Sequence, residues 1–286
     1  MNMYKGIPIK ERQNTEESIR YLHAQRYAYK IAKCIYMWRM FLSIVWPIIA
    51  VILYFACDNK FANEILIVSS LILVATFIME FYEKKYTVIG ATIQEQFDTT
   101  IFNMKWNLAL VGEKISPEKI YTLAEKEKTE ISKLKDWYTG INTNDEIEYT
   151  LKAQKTNIAW SIRQKEIFRD FLLIMAILIL LALILIASWK NFLMTDFFIT
   201  LFFPTISLFI YLIKGWMDFS QQVNELKRIT SQINSLLESE KTSKYHLRFI
   251  QDSIYVYGRV PNNIIPDVLY NKLRKKLEEI FKNTNK

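Results

Sequence analysis

Apolar and charged positions are segregated along this chain rather than mixed. Four uncharged runs stand out, residues 40–57, 65–79, 171–189 and 197–213, with 18, 15, 19 and 17 residues. They hold 69 residues, so all 66 charges fall in the other 217. An apolar stretch of about 18 residues crosses a hydrocarbon core about 30 Å thick. Two runs reach that length directly. The second reaches it with Glu64 and Glu80 at the interfaces, and the fourth with Asp196 at the headgroups. Inside lipid each backbone N–H and C=O needs an internal partner, so the runs are expected to be helices. Four buried helices of a large soluble protein are the alternative. The third run is almost wholly Leu, Ile, Ala and Met, and it leaves no polar face for such a fold. A signal peptide does not fit either, because eight basic residues precede the first run.

Spacing pairs the runs. Residues 58–64 and 190–196 are seven-residue connections, short enough only for antiparallel hairpins. The organisation read from this is an N-terminal segment 1–39, a first hairpin 40–82, a central insert 83–168, a second hairpin 169–213 and a C-terminal segment 214–286. Of the 37 Lys and Arg, 35 lie in the three long segments; the short connections hold only Lys60 and Lys190. Lys33, Arg39, Lys84, Lys85, Lys165, Arg169 and Lys214 flank the spans on that same side. The positive-inside rule puts the long segments and both termini in the cytoplasm. Cys34 and Cys57 then lie at different depths, too far apart for a disulfide.

The long segments read as helical, giving an all-α membrane protein with a helical cytoplasmic domain built from the N-terminal, central and C-terminal segments. Ser116-Pro117-Glu118 offers an N-cap, an N1 proline and an acidic first turn, opening a helix expected to reach about Lys135. No breaker separates Asp145 from Trp189, so one helix is expected to run from the cytoplasm into the third span. Ile65 to Phe102 reads the same way, with Gly90 as a weak point. Phe219, Val223, Leu226, Thr230, Ile233 and Leu237 form a short heptad seam, suited to the protein's own helices or to a subunit contact. A last amphipathic helix is expected from Pro266 to about Lys282. Pro47 and Pro204, near the middle of spans one and four, are hinge candidates or static kinks.

The net charge of +8 is carried by the two terminal segments, +5 each, with the central insert near neutral. Arg12, Arg20, Arg26, Arg248, Arg259 and Arg274 lie remote in sequence from the bilayer and would suit phosphate if the termini meet. There is no glycine-rich phosphate loop, HExxH, CxxC or GxSxG, and His23 and His246 lack metal-type neighbours. The chain therefore reads as neither an enzyme nor a metalloprotein. Polar clusters with embedded aromatics are its most unusual feature. Amides read base edges, aromatics stack on bases and Arg pairs with phosphate. These clusters nominate a nucleotide-binding set: Arg12, Gln13, Asn14, Arg26, Trp106, Asn107, Trp137, Tyr138, Asn157, Trp160, Arg163 and Arg259. Asn157, Trp160 and Arg163, spaced by three, are expected along one side of a helix. The alternative is that the aromatics anchor helical cores and the amides bridge helices.

In order, these clusters resemble the SMODS-associating four-transmembrane effector family over most of the chain. The likeness runs from Ile9-Lys10-Glu11-Arg12-Gln13-Asn14 and Ala24-Gln25-Arg26 through Ile93-Gln94-Glu95-Gln96-Phe97-Asp98-Thr99, Trp106-Asn107 and Asp136-Trp137-Tyr138. It continues with Gln154, Asn157, Trp160 and Arg163 and ends at Ile250-Gln251-Asp252, Tyr255, Arg259, Pro266-Asp267 and Tyr270. The resemblance implies a bacterial antiphage effector of the CBASS type in the inner membrane. It implies activation by a cyclic oligonucleotide from a CD-NTase-type synthase rather than by DNA or RNA polymers, and no other cofactor. Binding would lead to permeabilisation of the membrane and abortive infection.

No span carries a charged centre. Ser69, Ser70, Thr76, Thr200, Thr205 and Ser207 are the weakly polar candidates of spans two and four. One protomer's four helices are therefore not expected to form the conduit; a homo-oligomer assembled through the cytoplasmic part is. A constitutive channel or transporter, and a membrane-anchored scaffold recruiting partners through the heptad seam and basic patches, are the competing readings.

Overall fold

The computed structural model describes residues 7–57, 60–239, 241–261 and 264–265, the side chains of 54, 55 and 62 excepted. The expected helix after Pro266, with Asp267, Tyr270 and Arg274, lies outside the described residues. All regular elements among the described residues are helical. In chain order they are α1 (Ile9–Arg12), α2 (Glu16–Ala56), α3 (Ala62–Ile101), α4 (Leu108–Val111), α5 (Pro117–Glu125), a 3₁₀ turn (Ile131–Lys133), α6 (Glu146–Trp189), α7 (Met194–Asp196), a π-helical stretch (Phe197–Phe202), α8 (Phe203–Leu237), α9 (Lys244–Ser253) and a second π-helical stretch (Ile254–Arg259).

Four long helices dominate. At 1.5 Å per residue a 40-residue helix is about 60 Å long, twice the thickness of a hydrocarbon core. Each therefore has an apolar half long enough to cross a membrane and a polar half that enters a helical body. The expected continuity through α3 and α6 is present, with Asp145 capping α6 through the Ile147 N–H. Span one is continuous as well, since α2 runs unbroken from its Thr15 N-cap to Ala56. The reading from Ile65 to Phe102 missed the first turn of α3, which begins at Ala62 and ends at Ile101, and Gly90 does not interrupt it. A Cβ there would stand 3.2 Å from the Tyr29 ring, a tight contact, so glycine lets the two helices close up. Ala24, Ala28 and Ala32, all fully buried, extend that close-packed stripe of α2.

α5 corrects the expected helix to Lys135. It ends at Glu125, because Ile120 and Leu123 are its last buried residues and Lys126-Glu127-Lys128 offers no apolar face. The chain then turns, with Glu127 Oε1 accepting from both the N–H and the hydroxyl of Thr129. Pro204 is likewise not in the middle of an α-helix. It is the second residue of α8, directly after the π-helical stretch that widens the ladder before it. Pro47 does sit inside α2.

α2 packs on α3, α6 packs on α8, and α2 meets α8 to join the hairpins. The N-terminal and central segments share one core: Ile9, Leu22, Phe97, Ile101, Leu134, Tyr138, Tyr149 and Ala153 form one cluster. Leu226 and Ile233 of the heptad seam, with Ile229 beside them, pack against Leu151 and Ile158 of α6 and Leu247 and Ile250 of α9, so the seam is internal. In its apolar half α3 buries none of the window that qualifies as a span. Leu66, Ile67, Leu71, Val74, Phe77 and Ile78 are exposed there, a surface water would not tolerate and lipid would.

Candidate functional site

The polar clusters of the sequence converge inside the body, mostly on one another. Glu95 and Asp98, one turn apart on α3, are buried. Arg259 Nη1 donates to Glu95 Oε2 at 3.1 Å, and its Nη2 to Asp98 Oδ2. Arg248 Nη2 donates to Glu95 Oε1 at 2.7 Å. Gln251 Nε2 donates to Glu95 at 2.8 Å and to Asp98 at 3.0 Å, and the Tyr138 hydroxyl donates to Asp98 Oδ1 at 2.9 Å. Gln154 of α6 joins by donating to Gln251 Oε1 at 2.9 Å. Two carboxylates thus meet two guanidinium groups with their lone pairs largely filled, the condition under which buried charges are tolerated. Burial pushes the Glu95 carboxyl upward against the pull of Arg259 and Arg248, and burial beside Asp98 raises the Tyr138 phenol well above its ordinary value.

A second clamp holds the N-terminus. Arg12 donates to the Ile7 carbonyl at 2.6 Å, the Ile101 carbonyl at 3.1 Å and Glu146 at 2.7 Å. Gln13 Oε1 accepts from the Tyr138 N–H at 2.9 Å, while Asn14 exchanges two 2.8 Å bonds with Asp136. Asp136 has a φ of 51°, so Asn14 fixes a turn in the left-handed region. Trp106 donates to the Gly112 carbonyl at 2.9 Å; Asn107 caps α4 and donates to Asp252 at 2.9 Å. Arg26 lies over the Trp137 ring, 5.9 Å from its centre, and donates to the Thr129 hydroxyl at 3.3 Å.

The nominated set is therefore brought into one body but not into one pocket. Arg12, Gln13, Asn14, Tyr138 and Arg259 are each hydrogen-bonded to protein partners. Asn157, Trp160 and Arg163 follow one another up one broad side of α6, drifting by about −60° per step of three residues. Of the three, Asn157 lines a cavity of about 230 Å³, with Arg259, Lys33, Gln94, Ser161 and Lys165. Arg163 is exposed and pairs with Glu166 at 3.6 Å. Lys165 is buried and donates to Gln222 Oε1 at 2.8 Å; burial draws its pKa down to about 7. That cavity is below the roughly 300–1,000 Å³ usual for small-molecule sites. Glu95, Asp98, Arg248 and Gln251, the centre of the network, were missing from the nominated set. Their signal was present as acids three apart on α3 and basic residues near the C-terminal end.

A larger cleft of about 1280 Å³ lies between the hairpins. Its walls are α2, α3 and α8 with the π-helical stretch before it, Leu172 from α6, and Tyr257, Val260, Pro261 and Ile264 of the C-terminal segment. Where it meets the body, Arg39 donates to Glu83 at 2.7 Å and stands 3.8 Å from Glu80; Lys214 of α8 stands 3.7 Å from the same Glu80. Glu80 thereby ties the second hairpin to the first. Among the described residues no cluster of His, Cys, Asp and Glu could hold a metal ion.

These features define a multi-pass membrane protein of four long helices with an ion-paired helical body. A family model described as the SMODS-associating 4TM effector domain matches residues 7–286, and the chain belongs to that family. It is also 32% identical over 277 residues to a Bacillus cereus (strain VD146) protein named as a probable CBASS effector molecule, covering 94% of each chain. No solved structure matches. The family is one of antiphage defence effectors rather than of enzymes.

Proposed function

We propose that this protein is the membrane-permeabilising arm of a bacterial defence system. A cyclic oligonucleotide made by a CD-NTase-type synthase binds the cytoplasmic body. Copies assemble, and the inner membrane loses its barrier, with both termini remaining in the cytoplasm. The reading involves no catalysis. The observation that carries it is mechanical: the family membership is joined to four helices that run without a linker from the body into the spans. A ligand that favours one of two body arrangements shifts the spans with it, by as much as its affinities for the two states differ. The internal packing of the heptad seam takes away one of the two surfaces on which a scaffold reading relied, leaving it the basic patches.

Liposome leakage tests this. Protein reconstituted in dye-filled vesicles is expected to release the dye with one cyclic di- or trinucleotide of the cognate synthase and not with its linear form. Intact vesicles with every product of that synthase would reject the reading.

A further inference from the structure

We propose that the cleft between the two hairpins, in each copy of the assembly, is the path by which water and small ions cross the bilayer, which replaces the expectation that one protomer's four helices form no conduit. This rests on the permeabilising reading and names the part of the chain that performs it. The four apolar runs contain eight serines and threonines. Six of them, Ser43, Ser69, Ser70, Thr76, Thr200 and Ser207, line this one cleft, although they come from three different helices. The two left out are Thr205, buried and donating to the Leu201 carbonyl, and Ser188 at the end of α6. The third span, which has no hydroxyl in its interior, contributes only Leu172 to the walls.

Such sorting has a physical meaning. Ser69, Ser70 and Thr76 donate to carbonyls of their own helix at 2.7–2.9 Å, which satisfies each hydrogen; the Ser69 oxygen also accepts from the Trp46 indole at 2.8 Å, and those of Ser70 and Thr76 keep lone pairs at the cleft. Pro47, also on the wall, cannot give the Ser43 carbonyl the N–H that an α-helix supplies. Polar backbone without an internal partner is tolerated at membrane depth only where protein or water meets it. The volume holds on the order of forty waters at about 30 Å³ each. The mouth carries Arg39, Lys84 and Lys214 beside Glu80 and Asp218, charges of both signs that favour neither cations nor anions.

Cysteine labelling decides the point. Cys34→Ser and Cys57→Ser give a background without thiols, into which Ser70→Cys, Thr76→Cys and Ser207→Cys place thiols on the cleft. Ile67→Cys and Ile174→Cys place them on exposed faces outside it. Each variant is reconstituted and treated with a charged, membrane-impermeant methanethiosulfonate, with and without the activating nucleotide. Several-fold faster modification of the cleft set than of the two controls, in either state, is expected. Equally slow modification of both sets in both states, as for a cleft filled by acyl chains, would overturn the route. Leakage on nucleotide addition with the cleft unlabelled rejects the route and spares the proposed function. Rapid cleft labelling in vesicles that never leak does the reverse.

Discussion

Arg259 and Arg163 look alike in the sequence and are opposites in the fold. Arg259 is buried between two carboxylates, whereas Arg163 is exposed with one partner three residues on. Removing one member of a buried ion pair costs about 3–5 kcal/mol because the remaining charge is stranded. Arg259→Ala is therefore expected to unfold the body, read as lost thermal transition in detergent. Arg163→Ala is expected to change stability by at most about 0.5 kcal/mol, as exposed pairs do. Loss of nucleotide binding in Arg163→Ala thus reports on the ligand, while the same loss in Arg259→Ala does not.

Lys165 gives a pH signature. Its pKa falls from 10.5 to about 7 on folding, so between those values the unfolded chain binds the extra proton. Stability then rises with pH across that window, and the full penalty is present below it. Lys165→Met is expected to raise the melting temperature at pH 6 by several degrees and to flatten the dependence between pH 7 and 10. A dependence that survives the substitution would assign it elsewhere. The lysine itself was legible only as a span-flanking cation; its burial against Gln222 depends on α8 lying beside α6.

Among the elements, the hairpins were readable because hydrocarbon leaves a helix no alternative. The long continuous helices were readable for α3 and α6, where no breaker interrupts the pattern. α5 was not, since a strong N-cap says where a helix begins and only packing says where it stops. The contact between hairpins was also hidden. Glu80 joins Arg39 of α2 and Lys214 of α8, residues 41 and 134 positions away. Glu80→Gln removes both attractions at a half-exposed site. It is expected to leave the melting temperature within about 2 °C, since exposed pairs contribute little, and to raise vesicle leakage without nucleotide several-fold. Unchanged basal leakage would show that this tie does not hold the hairpins in their resting arrangement.

For the whole molecule, orientation follows from charge and is open to a direct test. Leu193 sits in the connection between spans three and four, and Ser132 sits in the body; both are exposed. In a thiol-free background, Leu193→Cys is expected to react with an impermeant maleimide in spheroplasts, and Ser132→Cys only after lysis. The opposite pattern would invert the protein and separate the body from any cytoplasmic signal.

Chain order alone determined that there are four apolar helices in two tight hairpins with a large polar share, because transfer into lipid depends on local composition and length. It also carried the family likeness, in Glu95, Asp98, Trp137 and Arg259 among others. What those residues do was decided only in three dimensions. Buried charge must find an opposite charge, and the nearest one lies about 150 residues away (Glu95 to Arg248). Folding thus turned most of an apparent nucleotide reader into internal fastenings. It also gathered scattered serines and threonines, individually unremarkable in their spans, onto the walls of a single cleft.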